Sequence, residues 1–224
     1  MTDMQVTYID HCGDDLSVVN AARVSFDKES DWEYEDKYGG TLGSVDRKLI
    51  RFLARENHKS PFNHTFLSFR VKAPIIVARQ LVKHEYMPWN EVSRRYVKTL
   101  PEFYHPPVLR KAADNVKQGS SDEAVDMSLF AADVHTPRFL CEIALETYEE
   151  LLRIGVCPEQ ARMYLPQNMM TEWIWSGTLF AFAKMLNLRL DRHTQYESRL
   201  VANLIEPHVA HLFPESWEAL RNGS

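Results

Sequence analysis

The sequence predicts an α/β fold of the α+β kind, with a mixed sheet flanked by helices and a helix-rich C-terminal half. The first observation is composition: 45% apolar and 25% charged side chains over 224 residues are typical of one globular domain with a sizeable core. The second is the alternation of apolar and polar side chains from Thr65 to Lys72, as in a strand with one buried face. The third is the helical spacing of apolar residues after Thr136. We therefore expect a single domain over residues 1–224.

Short strands and helices are predicted to alternate in the N-terminal half. In order, they are a strand from Gln5 to Asp10, a helix from Asp15 to Val24, a polar loop from Asp27 to Gly40, a helix capped by Ser44 and ending near Asn57, the strand from Thr65 to Lys72, and a helix opened by Pro74. The second strand is thus expected to lead directly into a helix.

The C-terminal half is predicted to be a loop followed by helices. The elements are a surface loop from Pro101 to Asp133 with at most one short helix, a long helix capped by Thr136 with Pro137 in its first turn and Gly155 at its end, a short helix from Pro158, a helix from Thr171 to Leu188, and a last helix capped by Asp191 and kinked or ended at Pro207.

Charge and cysteine content exclude several classes of function. With 26 Lys and Arg against 31 Asp and Glu, the formal charge of −5 gives no overall field that attracts nucleic acid or anionic lipid. The three widely spaced cysteines support neither a disulfide framework nor a zinc site. The N-terminus does not read as a signal peptide, and no stretch reaches the roughly 18 apolar residues of a membrane span. We expect a cytoplasmic protein, or one of the host cytoplasm if the gene is viral, with no membrane or nucleic-acid partner.

Polar residues are densest from Ala78 to Tyr96, where they stand between apolar anchors. The candidate functional residues in this segment are Gln80, Lys83, His84, Glu85, Glu91, Ser93, Arg94 and Arg95. On a helix begun at Pro74, the first three share a face, and in an extended chain beyond Pro88 the residues Glu91, Ser93 and Arg95 alternate onto one side. Two adjacent elements are then expected to present Lys83, His84, Ser93 and Arg95 to one pocket. Arginine forks and a serine hydroxyl suit a nucleotide phosphate, and the alternative is a solvated basic face.

Three further residues outside this segment are candidates for a site. Arg189 stands between two leucines, so either Asp191 or an anionic ligand is expected to meet it, and both remain open. His58 and His64 lie six residues apart, which matches no standard zinc spacing, and no metal is expected.

Several separate segments are similar to one protein family and occur in its order. They are AARVSF (21–26), HKSPFNH (58–64), VKAPIIVARQ (71–80), NEVSRRY (90–96), FYHP (103–106), ARMYLP (161–166) and LNLR (186–189). On these motifs the sequence resembles the flavin-dependent thymidylate synthases over nearly its whole length. The family signature of Arg-His-Arg, seven residues and Ser stands here as Lys83-His84-Glu85, seven residues and Ser93. Thr178, Phe180 and Lys184 also differ from the residues usual in the family.

The resemblance implies a reductive methylation of dUMP to dTMP, with 5,10-methylenetetrahydrofolate as carbon donor and FAD reduced by NADPH as hydride source. It assigns dUMP binding to Gln80, Glu91, Ser93, Arg94, Arg95, Arg162 and Arg189, with Arg189 also catalytic. It assigns FAD binding to His58, Ser60, Lys83, His84, Glu85 and Glu91. It further implies a homotetramer with active sites at subunit interfaces, and the family fold.

Two observations bear on the mechanism and its alternatives. Thymidylate synthases that work without flavin need a thiolate nucleophile, whereas Cys12, Cys141 and Cys157 lie outside the matched motifs. Glu85 is an acceptor that could bind an exocyclic amine, so a dCMP methylase or hydroxymethylase is one alternative. The other is a non-catalytic nucleotide-binding homologue that has lost flavin through its changes at Lys83, Glu85 and Phe180.

Overall fold

The computed structural model describes residues 3–36, 39–114, 119–130 and 135–222. The strands are β1 (Gln5–Cys12), β2 (Tyr34–Asp36), β3 (Gly39–Thr41), β4 (Phe66–Pro74), β5 (Trp89–Glu91), β6 (Arg110–Ala112), β7 (Ser120–Ala124) and β8 (Met170–Thr178). The helices are α1 (Asp15–Arg23), α2 (Ser44–Arg55), α3 (Ile75–Leu81), α4 (Pro137–Arg153), α5 (Pro158–Ala161), α6 (Leu179–Arg189), α7 (Tyr196–Leu212) and α8 (Pro214–Asn222). None of the helices among these residues is both long and apolar enough to cross a membrane.

A four-stranded sheet in the order β1-β4-β8-β5 forms the centre of the fold. All of its pairings are antiparallel, with Phe69 opposite Trp175 in the long β4–β8 pair. Phe182 of α6 packs edge-on against both of these rings, at centroid distances of 5.2 and 5.6 Å. The predicted fold class is confirmed, while the sheet predicted as mixed is antiparallel.

The segment from Thr171 to Leu188 is predicted from its sequence as one helix, and this prediction is wrong in its first half. Residues up to Thr178 form β8, and the helix begins only at Leu179. Trp173 and Trp175 are fully buried at alternate positions of this inner strand. The spacing of these tryptophans to the apolar residues that follow resembles one face of a helix. As a strand between β4 and β5, however, the segment forms backbone hydrogen bonds on both sides.

The predicted loop from Pro101 to Asp133 contains more structure than expected. Its described residues include the β6–β7 hairpin, paired antiparallel, and a 3-10 turn over Met127–Leu129. The hairpin strands are polar and short, so they carry no run of apolar residues by which the sequence could reveal them.

The predictions of helix starts and ends are confirmed at some positions and wrong at others. Thr136 caps α4 as expected, accepting a hydrogen bond from the Phe139 amide at 3.2 Å. Ser44 is the first residue of α2 rather than its cap, which is Gly43. Asp191 does not cap the last predicted helix, because α7 begins at Tyr196. Pro207 lies inside α7, which continues to Leu212, so Pro207 does not end this helix.

Candidate active site

Arg189, the last residue of α6, is held by two residues from the C-terminal end of α3 and the turn that follows. Its Nε donates to His84 Nε2 at 2.9 Å, and its Nη2 donates to the Gln80 carbonyl oxygen at 3.0 Å. Asp191 is not its partner, since that carboxylate instead accepts from the backbone of His193 at 2.7 Å. We call the half-buried group of Gln80, His84 and Arg189 the polar centre.

Electrostatics keep His84 neutral in this centre. Burial lowers the pKa of His84 to about 4, and the positive charges of Arg189 and Lys184 act in the same direction. A neutral imidazole can accept at Nε2 only if its proton is on Nδ1, so the hydrogen bond from Arg189 selects that tautomer. Burial also lowers the pKa of Arg189, but a guanidinium remains charged in proteins. The pair is therefore a cation fixed by a neutral acceptor.

The Gln80 side chain extends the polar centre toward α7. Its Nε2 donates to Gln195 Oε1, and its Oε1 accepts from Ser198 Oγ at 2.9 Å. Gln195 in turn donates to Glu197 Oε2 at 3.1 Å. Sequence reasoning missed Gln195, Glu197 and Ser198. The signal was present, because Glu197 and Ser198 are polar residues one turn before Val201 and Ala202 on the buried face of α7.

A cavity of about 620 Å³ opens beside His84. Its lining includes Phe180, Lys184 and Leu188 of α6 together with Asn57. At its edge, Lys184 Nζ lies 3.8 Å from Glu85 Oε2, and both side chains are exposed. Glu85 and Lys184 both differ from the residues usual in the family, and here their opposite charges lie close together. Lys184 therefore faces the carboxylate that stands where the family signature has an arginine.

A second set of predicted residues begins at the last residue of β5, Glu91, and continues through the segment that follows it. Glu91 accepts hydrogen bonds from Thr171 Oγ1 at 2.7 Å and from Trp89 Nε1 at 3.1 Å. The extended chain ends there, because the amide of Tyr96 donates to the Ser93 carbonyl oxygen at 2.9 Å and closes a turn. The expected alternation of Glu91, Ser93 and Arg95 onto one side is therefore wrong.

Arg94 and Arg95 of this segment form hydrogen bonds with residues outside the polar centre. Arg95 donates to Glu159 at 3.3 Å, and Arg94 donates to the Thr99 carbonyl oxygen. Arg162 is exposed in the 3-10 turn after α5. Within the described part of the chain, no hydrogen bond or ion pair joins these arginines to Arg189. Lys83 is exposed beyond the end of α3 at Leu81, in a turn where Tyr86 has a φ of +60°. One pocket shared by Lys83, His84, Ser93 and Arg95 stays a prediction.

His58 and Ser60 lie on a third surface, a cavity of about 710 Å³. Its floor is apolar and includes Phe26, Val45 and Phe52, and His58 stands edge-on to Phe52 at 5.7 Å. Phe26 is 75% exposed, so the lining presents apolar surface to solvent. A largely apolar lining that also includes the hydrogen-bonding groups of His58 and Ser60 suits a flavin or adenine ring and adjoining phosphates. The residues present therefore fit FAD.

Possible metal ligands and the cysteines can be located within the described residues. No group of three or more His, Cys, Asp or Glu side chains among them could hold a metal ion. Cys12 and Cys157 are exposed and Cys141 is buried, where its Sγ lies 3.6 Å from Asn168 Oδ1. No contact between a cysteine and the polar centre is found in ranges 3–36, 39–114, 119–130 and 135–222.

The chain is similar to known proteins over nearly its whole length. Residues 7–215 match the family model described as Thymidylate synthase complementing protein. The flavin-dependent thymidylate synthase of Thermotoga neapolitana is 36% identical over 96% of this chain and 89% of its own length. That of Thermus thermophilus is 37% identical over 96% of this chain and 74% of its own length.

Among solved structures, the UMP/dUMP methylase PolB from Streptomyces cacaoi bound with 5-Br dUMP is similar, with a TM-score of 0.81 and 32% identity. The alignment covers 99% of this chain and 96% of that one. The same enzyme bound with 5-Br UMP gives a TM-score of 0.80 at 30% identity, covering 100% and 96% of the two chains. The family model, the relatives and the structural neighbours all span nearly the whole chain, and the chain therefore belongs to the flavin-dependent thymidylate synthases, a family of methyltransferase enzymes.

Proposed function

We propose that this enzyme methylates C5 of dUMP to give dTMP, with 5,10-methylenetetrahydrofolate as the carbon donor. The observation that carries the proposal is the polar centre, in which Arg189 is held by neutral His84 and by the Gln80 carbonyl oxygen. A fixed cation beside a cavity is what a uracil ring requires when negative charge develops on it. The names of the relatives and of the similar methylase support the same substrate class.

Arg189 has the central task in this proposal. Two of its nitrogens are already bound to the protein, so the guanidinium is oriented before substrate arrives, and its Nη1 has no protein partner within the described residues. When C5 supplies the electron pair for a bond to the methylene carbon, the bond from that carbon to a folate nitrogen breaks with its electrons on nitrogen, and the C5 proton is lost afterwards. Negative charge on the ring oxygens and nitrogens makes C5 a better electron donor and so favours that step. Arg189 stabilises this charge, and neutral His84 does not add a competing positive charge.

Binding of the nucleotide phosphate is assigned to residues that lie outside the polar centre. We assign it to Ser93, Arg94, Arg95 and Arg162, with Glu91 orienting the sugar and Gln80 contacting the nucleotide from the centre. Arg162 and Arg95 are both exposed, and Arg95 pairs with Glu159 of its own subunit. Tyr96, Met163 and Tyr164 beside them are 74%, 77% and 62% exposed. These apolar surfaces support a homotetramer of single-domain chains, residues 1–224, in which the arginines of one subunit complete the site of another.

FAD binding is assigned to His58, Ser60, Lys83, His84, Glu85 and Glu91. When bound and reduced by NADPH, FAD supplies the hydride for the new methyl group. The chain's own residues bind and orient it: the apolar floor near His58 receives a ring, and the exposed Lys83 supplies positive charge for a phosphate.

UMP is a second candidate substrate for the same chemistry. The observation that favours it is the similarity over the full chain to a methylase whose name includes UMP and which was solved with 5-Br UMP. UMP and dUMP differ only in the 2′-hydroxyl group. Measuring the methylation of both nucleotides side by side therefore shows which one is the substrate.

A visible spectrum of the purified protein is the first test. We expect flavin absorbance that is bleached by NADPH, and methylated product from dUMP when methylenetetrahydrofolate is present. UMP and dCMP are assayed in parallel, and methylation of dCMP alone would replace the proposed substrate. A colourless protein that gains no flavin absorbance on addition of FAD, yet binds dUMP, would instead be a non-catalytic nucleotide-binding homologue.

A further inference from the structure

We propose that Glu197, held by Arg110 of the β6–β7 hairpin, is a positioning residue that sets the orientation of the Gln80 side-chain amide through Gln195. The inference rests on the proposed function, because Gln80 matters to activity only if the nucleotide binds at the polar centre. Nothing in the family resemblance assigns a role to Glu197, Gln195 or Arg110.

The residues concerned form a continuous chain of hydrogen bonds. Arg110 Nη2 donates to Glu197 Oε1 at 2.8 Å, and Gln195 Nε2 donates to Glu197 Oε2 at 3.1 Å. Gln80 Nε2 then donates to Gln195 Oε1, while Gln80 Oε1 accepts from Ser198 Oγ at 2.9 Å. The chain connects β6, α7 and α3, and ends at the residue whose carbonyl oxygen holds Arg189.

The direction of these hydrogen bonds is fixed at the Glu197 end. An ionised carboxylate can only accept, so Gln195 must turn its NH₂ group toward Glu197 and its oxygen toward Gln80. Gln80 must then turn its NH₂ group toward Gln195 and its oxygen toward Ser198. Within the described residues, the second hydrogen of Gln80 Nε2 is left for a ligand. The orientation of the Gln80 amide, which can donate to a ligand, is therefore set by Glu197 through Gln195.

Burial makes this arrangement difficult to change. The side chains of Glu197 and Arg110 are only 10% and 16% exposed. Removing one partner of a buried ion pair leaves an uncompensated charge, which is strongly destabilising. Arg110 has two further contacts, since its Nε donates to Ser120 Oγ at 2.8 Å and its guanidinium lies 4.3 Å from the Tyr196 ring centroid. The hairpin is thereby attached to the start of α7.

Glu197 is ionised at neutral pH, as the chain of hydrogen bonds requires. Burial raises the pKa of its carboxyl group, but the hydrogen bonds from Arg110 and Gln195 and the charge of Arg110 together lower it by more, so the pKa lies below its usual value.

The test replaces the carboxylate by an isosteric amide, Glu197→Gln, in the flavin-loaded protein. An amide can donate as well as accept, so Gln195 and Gln80 are no longer held in one orientation. We expect the Kd for dUMP to rise about tenfold, the effect of losing one well-placed hydrogen bond, with flavin content unchanged. The matched control is Lys111→Gln, which removes an exposed ion pair of the same hairpin, Lys111 Nζ to Glu123 at 2.8 Å, and is expected to leave dUMP binding unchanged.

A rescue variant distinguishes orientation from loss of the ion pair alone. In the double variant Gln195→Glu with Glu197→Gln, an acceptor-only group again faces Gln80 Nε2, and the proposal requires dUMP affinity to return to within about threefold of the original. A structural role for the Arg110–Glu197 pair predicts no such recovery.

Three results would overturn the proposal. They are a Kd for Glu197→Gln within twofold of that of Lys111→Gln, no recovery in the double variant, and, should Glu197→Gln not fold, a Kd for Gln195→Met within twofold of the unaltered protein. Gln195→Met leaves the Arg110–Glu197 ion pair in place but removes the hydrogen bonds that connect Glu197 to Gln80. Failure of the unaltered protein to bind dUMP would instead contradict the proposed function.

Discussion

The polar centre and the outer arginine region, which we define as Ser93, Arg95 and Arg162, are built in opposite ways. In the centre, Arg189 is half-buried and both its hydrogen-bond partners come from the α3 segment of the same subunit. In the outer region, Arg162 is exposed, and Arg95 pairs with an exposed glutamate, Glu159, and lies 5.1 Å from the exposed ring of Tyr96. The centre is organised before ligand binds, whereas the outer region needs a ligand or another subunit.

In the proposed function, this difference corresponds to two tasks of one enzyme. A cation that stabilises developing charge must be fixed in advance, because reorganisation during the reaction raises the barrier. Groups that bind a phosphate in both ground and transition states can be ordered when the nucleotide arrives. Changes in the centre are therefore expected to lower kcat, and changes in the outer region to weaken binding.

The largest effect is expected from Arg189→Ala. Loss of one preorganised donor typically costs about 100- to 1000-fold in rate, so we expect kcat to fall by that factor while flavin content stays the same. Steady-state assays with saturating dUMP measure it. The control is Arg192→Ala, three residues further along and exposed, which should retain full activity. A kcat near that of the unaltered enzyme would remove Arg189 from the reaction.

Arg162→Ala should affect binding rather than turnover. A hydrogen bond to a charged group contributes about 1.5–3 kcal/mol, so the Kd for dUMP should rise about 10- to 100-fold. Calorimetry with dUMP and with deoxyuridine checks this, because the nucleoside lacks the phosphate and its affinity should not change. Arg153→Ala, another exposed arginine, paired with Glu150 on α4, serves as the control. An equal loss for dUMP and deoxyuridine would contradict a phosphate contact.

The two regions also differ in how far the sequence predicted them. The polar segment from Ala78 to Tyr96 and the family motifs predicted the residues of both regions. Of these residues, Gln80, His84 and Arg189 lie together in the structure. Their neighbour Arg110 could not be predicted, since it reaches Glu197 from 87 residues away through a short polar hairpin. Periodicity within a segment contains no information about such contacts.

Secondary structure was predicted best where local chemistry decides it. The strand β4 and the capped helix α4 follow from alternation and from Thr136, both of which act within a few residues. In β8, by contrast, Ile174 faces the less buried side while Trp173 and Trp175 are buried. This strand is defined by its two neighbours in the sheet, which are distant in sequence, and helical spacing misled the prediction.

His84 gives the polar centre a pH dependence. Its pKa is about 4 in the folded protein against an ordinary value of 6.5. Between these values the unfolded chain binds the proton and the folded protein does not, so the free energy of unfolding falls as pH decreases from 6.5 toward 4. We expect His84→Gln to reduce this slope in denaturant titrations, relative to the exposed control His193→Gln. An unchanged slope would show that His84 is not the group responsible.

The smallest effect is expected at the edge of the cavity, where Lys184 and Glu85 are 3.8 Å apart and both largely exposed. Exposed ion pairs contribute about 0–1 kcal/mol, so reversing Lys184→Glu should change the free energy of unfolding by no more than that. It places two carboxylates together where FAD phosphates are proposed to bind, and the FAD Kd should therefore rise a few-fold. The charge exchange Glu85→Lys with Lys184→Glu restores the pair and should recover FAD affinity. If the exchanged variant binds FAD as weakly as the single reversal, the two residues act independently, and the local positive charge at Lys184 itself is what FAD requires.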